Sequence, residues 1–367
     1  MKETSMIKTI KASALAALAV AATAIVPGGT AQAQDKTKAC FIYVGPIGDF
    51  GWSYQHHQGL LDVEEAMGDK VETAYLESVP EGADAERAIE RFARSGCDII
   101  FTTSFGYMDP TNKVAAKFPD VKFEHATGYK REHDNVSTYN SRFYEGRYIQ
   151  GVIAANISEK GVAGYIASFP IPEVVMGINA FLLGAQSINP DFKVKVVWAN
   201  TWFDPGKEAD AAKALIDQGV DIITQHTDST APMQVAAERG IKAFGQASDM
   251  LEFGPETQLT SIIDDWGPYY VERVEAVHEG TWEQKDVWAG LAEGHVVMAP
   301  YKNMPDEVAA QAKEIEEKIR SGEFHPFTGP IKKQDGSDWL AEGEVADDGT
   351  LLGMNFYVEG VDDKLPN

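Results

Sequence analysis

Aromatic and acidic side chains recur in the segments that follow short apolar runs. The rings are Phe50 and Trp52, Phe105 and Tyr107, Trp202 and Phe203, and Trp266. The acids are Asp49, Asp204, Asp228, Asp249 and Asp264. Two rings held on facing surfaces clamp a planar ligand through their π faces. Stacking a heterocycle on an aromatic side chain is worth about 1–3 kcal/mol. The carboxylates can accept hydrogen bonds from ring N–H and amino groups. A single ring serves equally well as packing at a hinge, and a single Asp as a helix or turn cap. Taken together, many Asp beside few Lys or Arg suit a neutral, donor-rich ligand and not an anion.

Catalytic and cofactor signatures are missing. The chain has no G-x-G-x-x-G and no G-x-x-x-x-G-K-[ST], and so no glycine-rich phosphate cradle. It has no G-x-S-x-G elbow, no H-E-x-x-H and no C-x-x-C. His56 and His57 are adjacent, which points them to different sides of a helix, so no metal site is expected. Pairs such as Asp264-Asp265 read as helix caps. Asp49 and Glu145 are the only acids to which an enzymatic role could be given. The expectation is a binding protein without catalytic residues, cofactor or metal.

These side chains need a frame to hold them. Apolar runs at 39–44, 71–76, 98–103, 122–126 and 135–140 read as five strands. A second five are expected at 162–167, 193–199, 221–225, 242–246 and 259–263. Amphipathic stretches separate them. In 84–95, Ala85, Ala88, Ile89 and Phe92 share one face and Gly96 stops the helix. Such alternation predicts an α/β protein with parallel sheets covered on both faces. The chain also resembles itself: residues 84–102 align with 207–225, with Gly96 on Gly219 and Asp98-Ile99-Ile100 on Asp221-Ile222-Ile223. Two lobes of like topology follow, with ligand loops beyond the carboxyl ends of the strands.

The N-terminus reads as an export signal. Lys2, Lys8 and Lys11 precede an apolar run from Ala14 to Val26, and Ala31-Gln32-Ala33 offers a small-x-small cleavage site. The run is too short for a stable membrane anchor. Cleavage after Ala33 and a periplasmic location are expected. The chain carries a net charge of −24, which disfavours nucleic acid and anionic lipid as partners. Two cysteines, Cys40 and Cys97, each begin an apolar strand-like run. If those strands are parallel neighbours, a disulfide is geometrically possible. Two buried thiols are the other reading.

With these stretches in view, the chain resembles the BMP family of ABC-transporter substrate-binding proteins, the purine-nucleoside-receptor-like group. The resemblance runs from about Ala39 to Tyr357. It rests on Gly45-Pro-Ile-Gly-Asp-Phe-Gly-Trp52-Ser53, on 135–151 with Glu145 and Gly151, on Trp202-Phe203-Asp204, on 219–223 and on 245–250. It implies the type I periplasmic-binding-protein fold, two Rossmann-like lobes joined by a three-segment hinge. The expected division is 1–33 as signal peptide, 34–141 plus about 266–330 as lobe I, and 142–265 plus about 331–367 as lobe II.

The resemblance further implies a purine held between two rings, which align with Trp52 and Trp202, followed by a polar group that aligns with Ser53. Tyr43 stands where some nucleoside-binding members carry Asp. Ala247 or Asp249, and Asp264, stand where ribose-binding residues would be. The implied ligand is therefore a nucleobase before a nucleoside. Partners would be an inner-membrane permease with a separate ATPase, the protein itself acting as a monomer. A sensory receptor of the same fold is the alternative reading, and a nucleoside-acting enzyme a more distant one.

Overall fold

A computed structural model describes residues 36–366. The expected signal segment lies outside the described residues. In the first half the elements run β1 (Thr37–Ile42), α1 (Trp52–Met67), β2 (Val71–Leu76), α2 (Ala83–Arg94), β3 (Ile99–Thr102), α3 (Met108–Ala115), β4 (Lys122–Ala126) and β5 (Val136–Ser141). The second half repeats the scheme. It comprises α4 (Phe143–Ile157), β6 (Val162–Ala167), α5 (Pro172–Gln186), β7 (Lys193–Trp198), α6 (Pro205–Asp217), β8 (Ile222–His226), α7 (Ala231–Glu238), β9 (Lys242–Gly245) and β10 (Gln258–Asp264). Then come α8 (Gly267–Glu279), β11 (Asp286–Ala289), β12 (Val296–Met298), α9 (Asp306–Arg320), a hairpin of β13 (Ile331–Lys332) and β14 (Asp338–Leu340), and α10 (Asp348–Leu352).

Two six-stranded sheets result. Their orders are β11-β5-β4-β3-β1-β2 and β12-β10-β9-β8-β6-β7. The ten strands expected from the sequence are all present, shifted by no more than two residues at their ends. The internal repeat also has a structural counterpart: α2–β3 and α6–β8 occupy equivalent positions in the two sheets. This is the two-lobed α/β fold with parallel sheets.

Alternation along β1 shows how each sheet is covered. Cys40 and Ile42 face Ile89, Phe92 and Val114 of α2 and α3. Phe41 and Tyr43 face the opposite layer, with Leu60 and Val63 of α1 and Tyr270 and Val274 of α8. In the second sheet, Ile166 and Ile223 pack under Leu215 and Ala236 of α6 and α7. Helices α4 and α5 cover its other face at very short range. A Cβ added to Gly151 would lie 1.9 Å from the Phe181 carbonyl oxygen, and one on Gly184 2.0 Å from that of Tyr148. Only glycine permits this approach of backbones. Cys40 and Cys97 are bonded, with Cα atoms 6.0 Å apart, beneath the α2–α3 layer.

The chain crosses between sheets at three places: from β5 into α4, from β10 into α8, and from β11 to β12. The return to the first lobe is shorter than the 266–330 expected. Helix α8 is held there by Arg273, whose Nε donates to Glu124 Oε1 of β4 at 2.8 Å, with both side chains buried. Strand β11 pairs with β5. Strand β12, however, pairs antiparallel with β10, and α9 packs against α4, so the chain is back in the second lobe by Val296. The sequence signal missed this because β11 and β12 are short edge strands, four and three residues long, without a usable period.

Candidate ligand-binding cavity

The carboxyl ends of both sheets face one narrow cavity. From the first lobe come Val44 after β1, Trp52 at the start of α1, Ser104 and Phe105 after β3, and Thr127 after β4. From the second come Glu173 in the first turn of α5, Trp202 after β7, His226 and Asp228 at the end of β8, and Gln246 after β9. Phe105, Thr127 and Glu173 also border a larger groove that adjoins it. Backbone strain gathers here: Phe50, Thr127 and Ala247 all adopt positive φ, at 59°, 63° and 62°. Such conformations persist where surrounding structure fixes them, often at ligand sites.

The two indoles are anchored differently. Trp52 Nε1 donates to the Thr103 carbonyl at 2.6 Å, and its ring packs edge-on to His56 and Trp266. Trp202 packs on Phe169 of its own lobe, and its Nε1 donates to Glu81 Oε1 of the other lobe at 3.2 Å. The lobes are shut on each other at this edge. Ser248 Oγ donates to the Phe50 carbonyl, and the rings of Phe50 and Phe253 lie 4.8 Å apart. Gly51 explains how close they come. A Cβ there would stand 2.3 Å from the Asp228 carbonyl oxygen.

Buried acids with free oxygens line the second-lobe wall. Glu173 Oε1 lies 3.3 Å from His226 Nε2. Glu173 Oε2, His226 Nδ1 and Asp228 Oδ2 have no hydrogen-bond partner among the described residues. Burial lowers the His226 pKa and favours the neutral ring, against the pull of Glu173. Burial first, and then the charges of Asp49, Glu208 and Asp264, push Asp228 well above the usual carboxylate range. Asp49 rises to about 6, again chiefly from burial, although three backbone N–H groups favour its charge. The unpaired Glu173 oxygen suits a ligand that brings N–H donors, and the Asp228 carboxyl, pushed toward its protonated form, can meet a ligand donor or acceptor.

Of the residues expected at the site, Trp52, Phe105, Trp202 and Asp228 come together in the cavity wall. The others are used elsewhere. Asp49 caps α1, accepting from the N–H groups of Gly51, Ser53 and Tyr54 at 2.8–3.1 Å. Ser53 is buried and accepts from Gly45 N at 3.0 Å, bracing the loop. Tyr43 has no exposure; it packs among Phe41, His57 and Tyr75 on the α1 side of the sheet. Asp249 is exposed and accepts from Gln258 Nε2 at 2.6 Å. Asp264 is buried outside the wall, with neither carboxylate oxygen partnered among the described residues; burial and the Glu173 charge raise its pKa strongly. Trp266 is buried in the aromatic cluster at the second crossing. Glu145 sits at the third crossing, where it accepts from Leu291 N.

Glu173, His226 and Gln246 were not singled out from the sequence. Glu173 looks like an ordinary acidic first turn after Ile171-Pro172. His226 and Gln246 end apolar strands. Their signal was positional: polar side chains at the carboxyl ends of strands in an open α/β sheet.

Residues 36–325 match the family described as "Bmp: ABC transporter substrate-binding protein PnrA-like". The chain belongs to this family. It is thus a substrate-binding protein of an ABC transporter and not an enzyme. A curated relative, the "Purine-binding protein" of Brucella abortus, is 70% identical over 339 residues, covering 92% of this chain and 97% of its own. The "Putative ABC transporter glucose-binding protein TsgA13" of Haloferax volcanii is 40% identical over 341 residues, covering 93% and 84%.

Among solved structures, an ABC transporter solute-binding protein from Aeropyrum pernix superposes with a TM-score of 0.68 at 23% identity, covering 86% of this chain and 95% of its own. One from Conexibacter woesei superposes at 0.61 and 20% identity, covering 79% and 98%. These neighbours share the fold of the BMP-family chain. No described helix is long and apolar enough to cross a membrane.

Proposed function

We propose that this BMP-family protein captures a purine, a free nucleobase in preference to a nucleoside, between Trp52 and Trp202. The observation that carries the reading is one small cavity with an indole from each lobe in its wall and the acceptors of Glu173 and Asp228 beside them. An open form exposes the cleft. The base stacks on one ring, and closure brings up the second ring and the carboxylates. Closure is favoured only by contacts that the open form lacks. The relative named as purine-binding supports the ligand class at 70% identity.

The preference for a base rests on the late loops. Asp249 is turned to solvent and held by Gln258, while Asp264 stands outside the cavity wall. Neither is placed to receive ribose hydroxyls. The exported, monomeric protein would deliver its cargo to an inner-membrane permease served by a separate ATPase.

Calorimetric titration with adenine, hypoxanthine, adenosine and glucose tests the ligand. A nucleobase is expected to bind at least about tenfold more tightly than adenosine, with no heat from glucose. Binding of glucose without any purine response would overturn the assignment. Trp202→Ala is expected to weaken nucleobase binding by about 10–100-fold, the value of one stacking face. The fold should survive, because Trp202 is only half-buried at the cleft rim. Unchanged affinity would reduce Trp202 to a packing residue.

A further inference from the structure

Arg147 lies behind the second-lobe wall of the cavity, on α4, with no exposed surface. Its guanidinium donates to Gln150 Oε1 at 3.0 Å, to Thr224 Oγ1 at 3.2 Å and to the Gln225 carbonyl at 2.8 Å. Nη2 also donates to the side-chain oxygen of Gln246. A guanidinium carries only donors. The Gln246 atom that meets it must therefore be the carbonyl oxygen, and the orientation of the amide follows from chemistry. Gln246 is in the cavity wall, 1% exposed, and its amide nitrogen has no hydrogen bond to any described residue.

We propose that Arg147 is a positioning residue for ligand recognition, holding Gln246 so that its amide NH2 faces the cavity and donates to an acceptor atom of the bound purine. The proposal rests on the purine reading and adds a polarity to it. Glu173 and Asp228 offer acceptors in the same wall. A freely turning Gln246 could add a third acceptor there. Fixed by Arg147, it adds a donor instead. The wall then matches a heterocycle that has both N–H groups and bare ring nitrogens or an oxo group. Arg147 also lies near the Glu173 and Asp264 carboxyl groups and offsets them, and the test must separate the two roles.

Adenine affinity is measured for the wild type, Gln246→Glu, Gln246→Met, Arg147→Met and the Arg147→Met/Gln246→Met pair. Gln246→Glu keeps the size and the contact with Arg147 but puts an oxygen where the NH2 stood. It is expected to lose about tenfold or more. Gln246→Met should lose about as much in the wild-type background. In the Arg147→Met background it should cost less than about threefold, because the amide is no longer held. Equal factors in both backgrounds, or Gln246→Glu binding like the wild type, would overturn the assignment. Should Arg147→Met fail to fold, Gln246→Glu decides alone. A wild type that binds neither adenine nor hypoxanthine removes the purine reading and this inference together. A wild type that binds them while the variants behave additively removes only the inference.

Discussion

Reduction of the Cys40–Cys97 bond is expected to cost on the order of 4 kcal/mol of stability, from the entropy of a loop closed over 57 residues in the unfolded chain. The bond ties β1 to the residue just before α2's layer gives way to β3, on the α2–α3 face of the first sheet. Both sulfurs are buried, Cys40 at 0% and Cys97 at 2% exposure. In the unfolded chain the crosslink removes many conformations that the reduced chain regains. Folded contacts are nearly unchanged by reduction, so the loss should appear as a lower urea midpoint with the native spectrum kept at low urea. Denaturation with and without reductant measures it, with thiol titration to prove that the bond has opened. Coincident transitions after complete reduction would show that the crosslink contributes nothing. Trp202, on the other lobe, should report a midpoint less affected than probes in lobe I if the lobes unfold separately.

The architecture could be read from the sequence because its signals are local and redundant. Ten strands alternate with amphipathic helices, and a helix, a glycine stop and a strand recur at equivalent places in both halves. The lobes and the position of the cleft followed from that alone. The late crossings were harder. Residues 286–289 and 296–298 become strands only by joining existing sheet edges, and nothing in their own sequence period announces it. Lobe assignment there depends on tertiary partners such as the Arg273–Glu124 pair, whose two members are far apart in the chain.

The candidate site was legible at its rings and less so at its polar atoms. Trp52 and Trp202 are large, rare side chains in loops after strands, and both reached the cavity. The acids were mostly misplaced. A loop Asp has several uses, and three of those expected at the site went to a helix cap, an exposed turn and a buried layer behind the wall. Which way a side chain turns depends on neighbours that the sequence does not order. Arg147 shows the reverse case. A cation among the many apolar and aromatic residues of α4 is a visible anomaly. Its partners Thr224, Gln225 and Gln246 come from strands far along the chain, so its purpose was not.

Glu145→Gln is expected to stabilise the protein at pH 8 and to lose that advantage as the pH falls toward 5. Glu145 is 6% exposed at the start of α4, where its Oε2 accepts from Leu291 N at 2.7 Å. Burial raises its pKa to about 7, offset in part by that N–H and by Arg142, 3.9 Å away; Glu293 opposes and Arg320 assists the charged form. The ordinary value is 4.5, so the folded protein holds a proton that the unfolded chain has already released. The penalty is absent below about pH 4.5 and complete above about pH 7. At full size it amounts to roughly 3 kcal/mol. Glutamine keeps an acceptor for Leu291 N and carries no charge to desolvate. The difference in melting temperature between variant and wild type should therefore grow from pH 5 to about pH 7 and level off by pH 8. A difference that stays flat over that range would mean that the carboxylate is not desolvated at the third crossing. Because Leu291 lies on that crossing, the same bond links α4 of the second lobe to the segment leaving the first, so its charge state bears on the hinge itself.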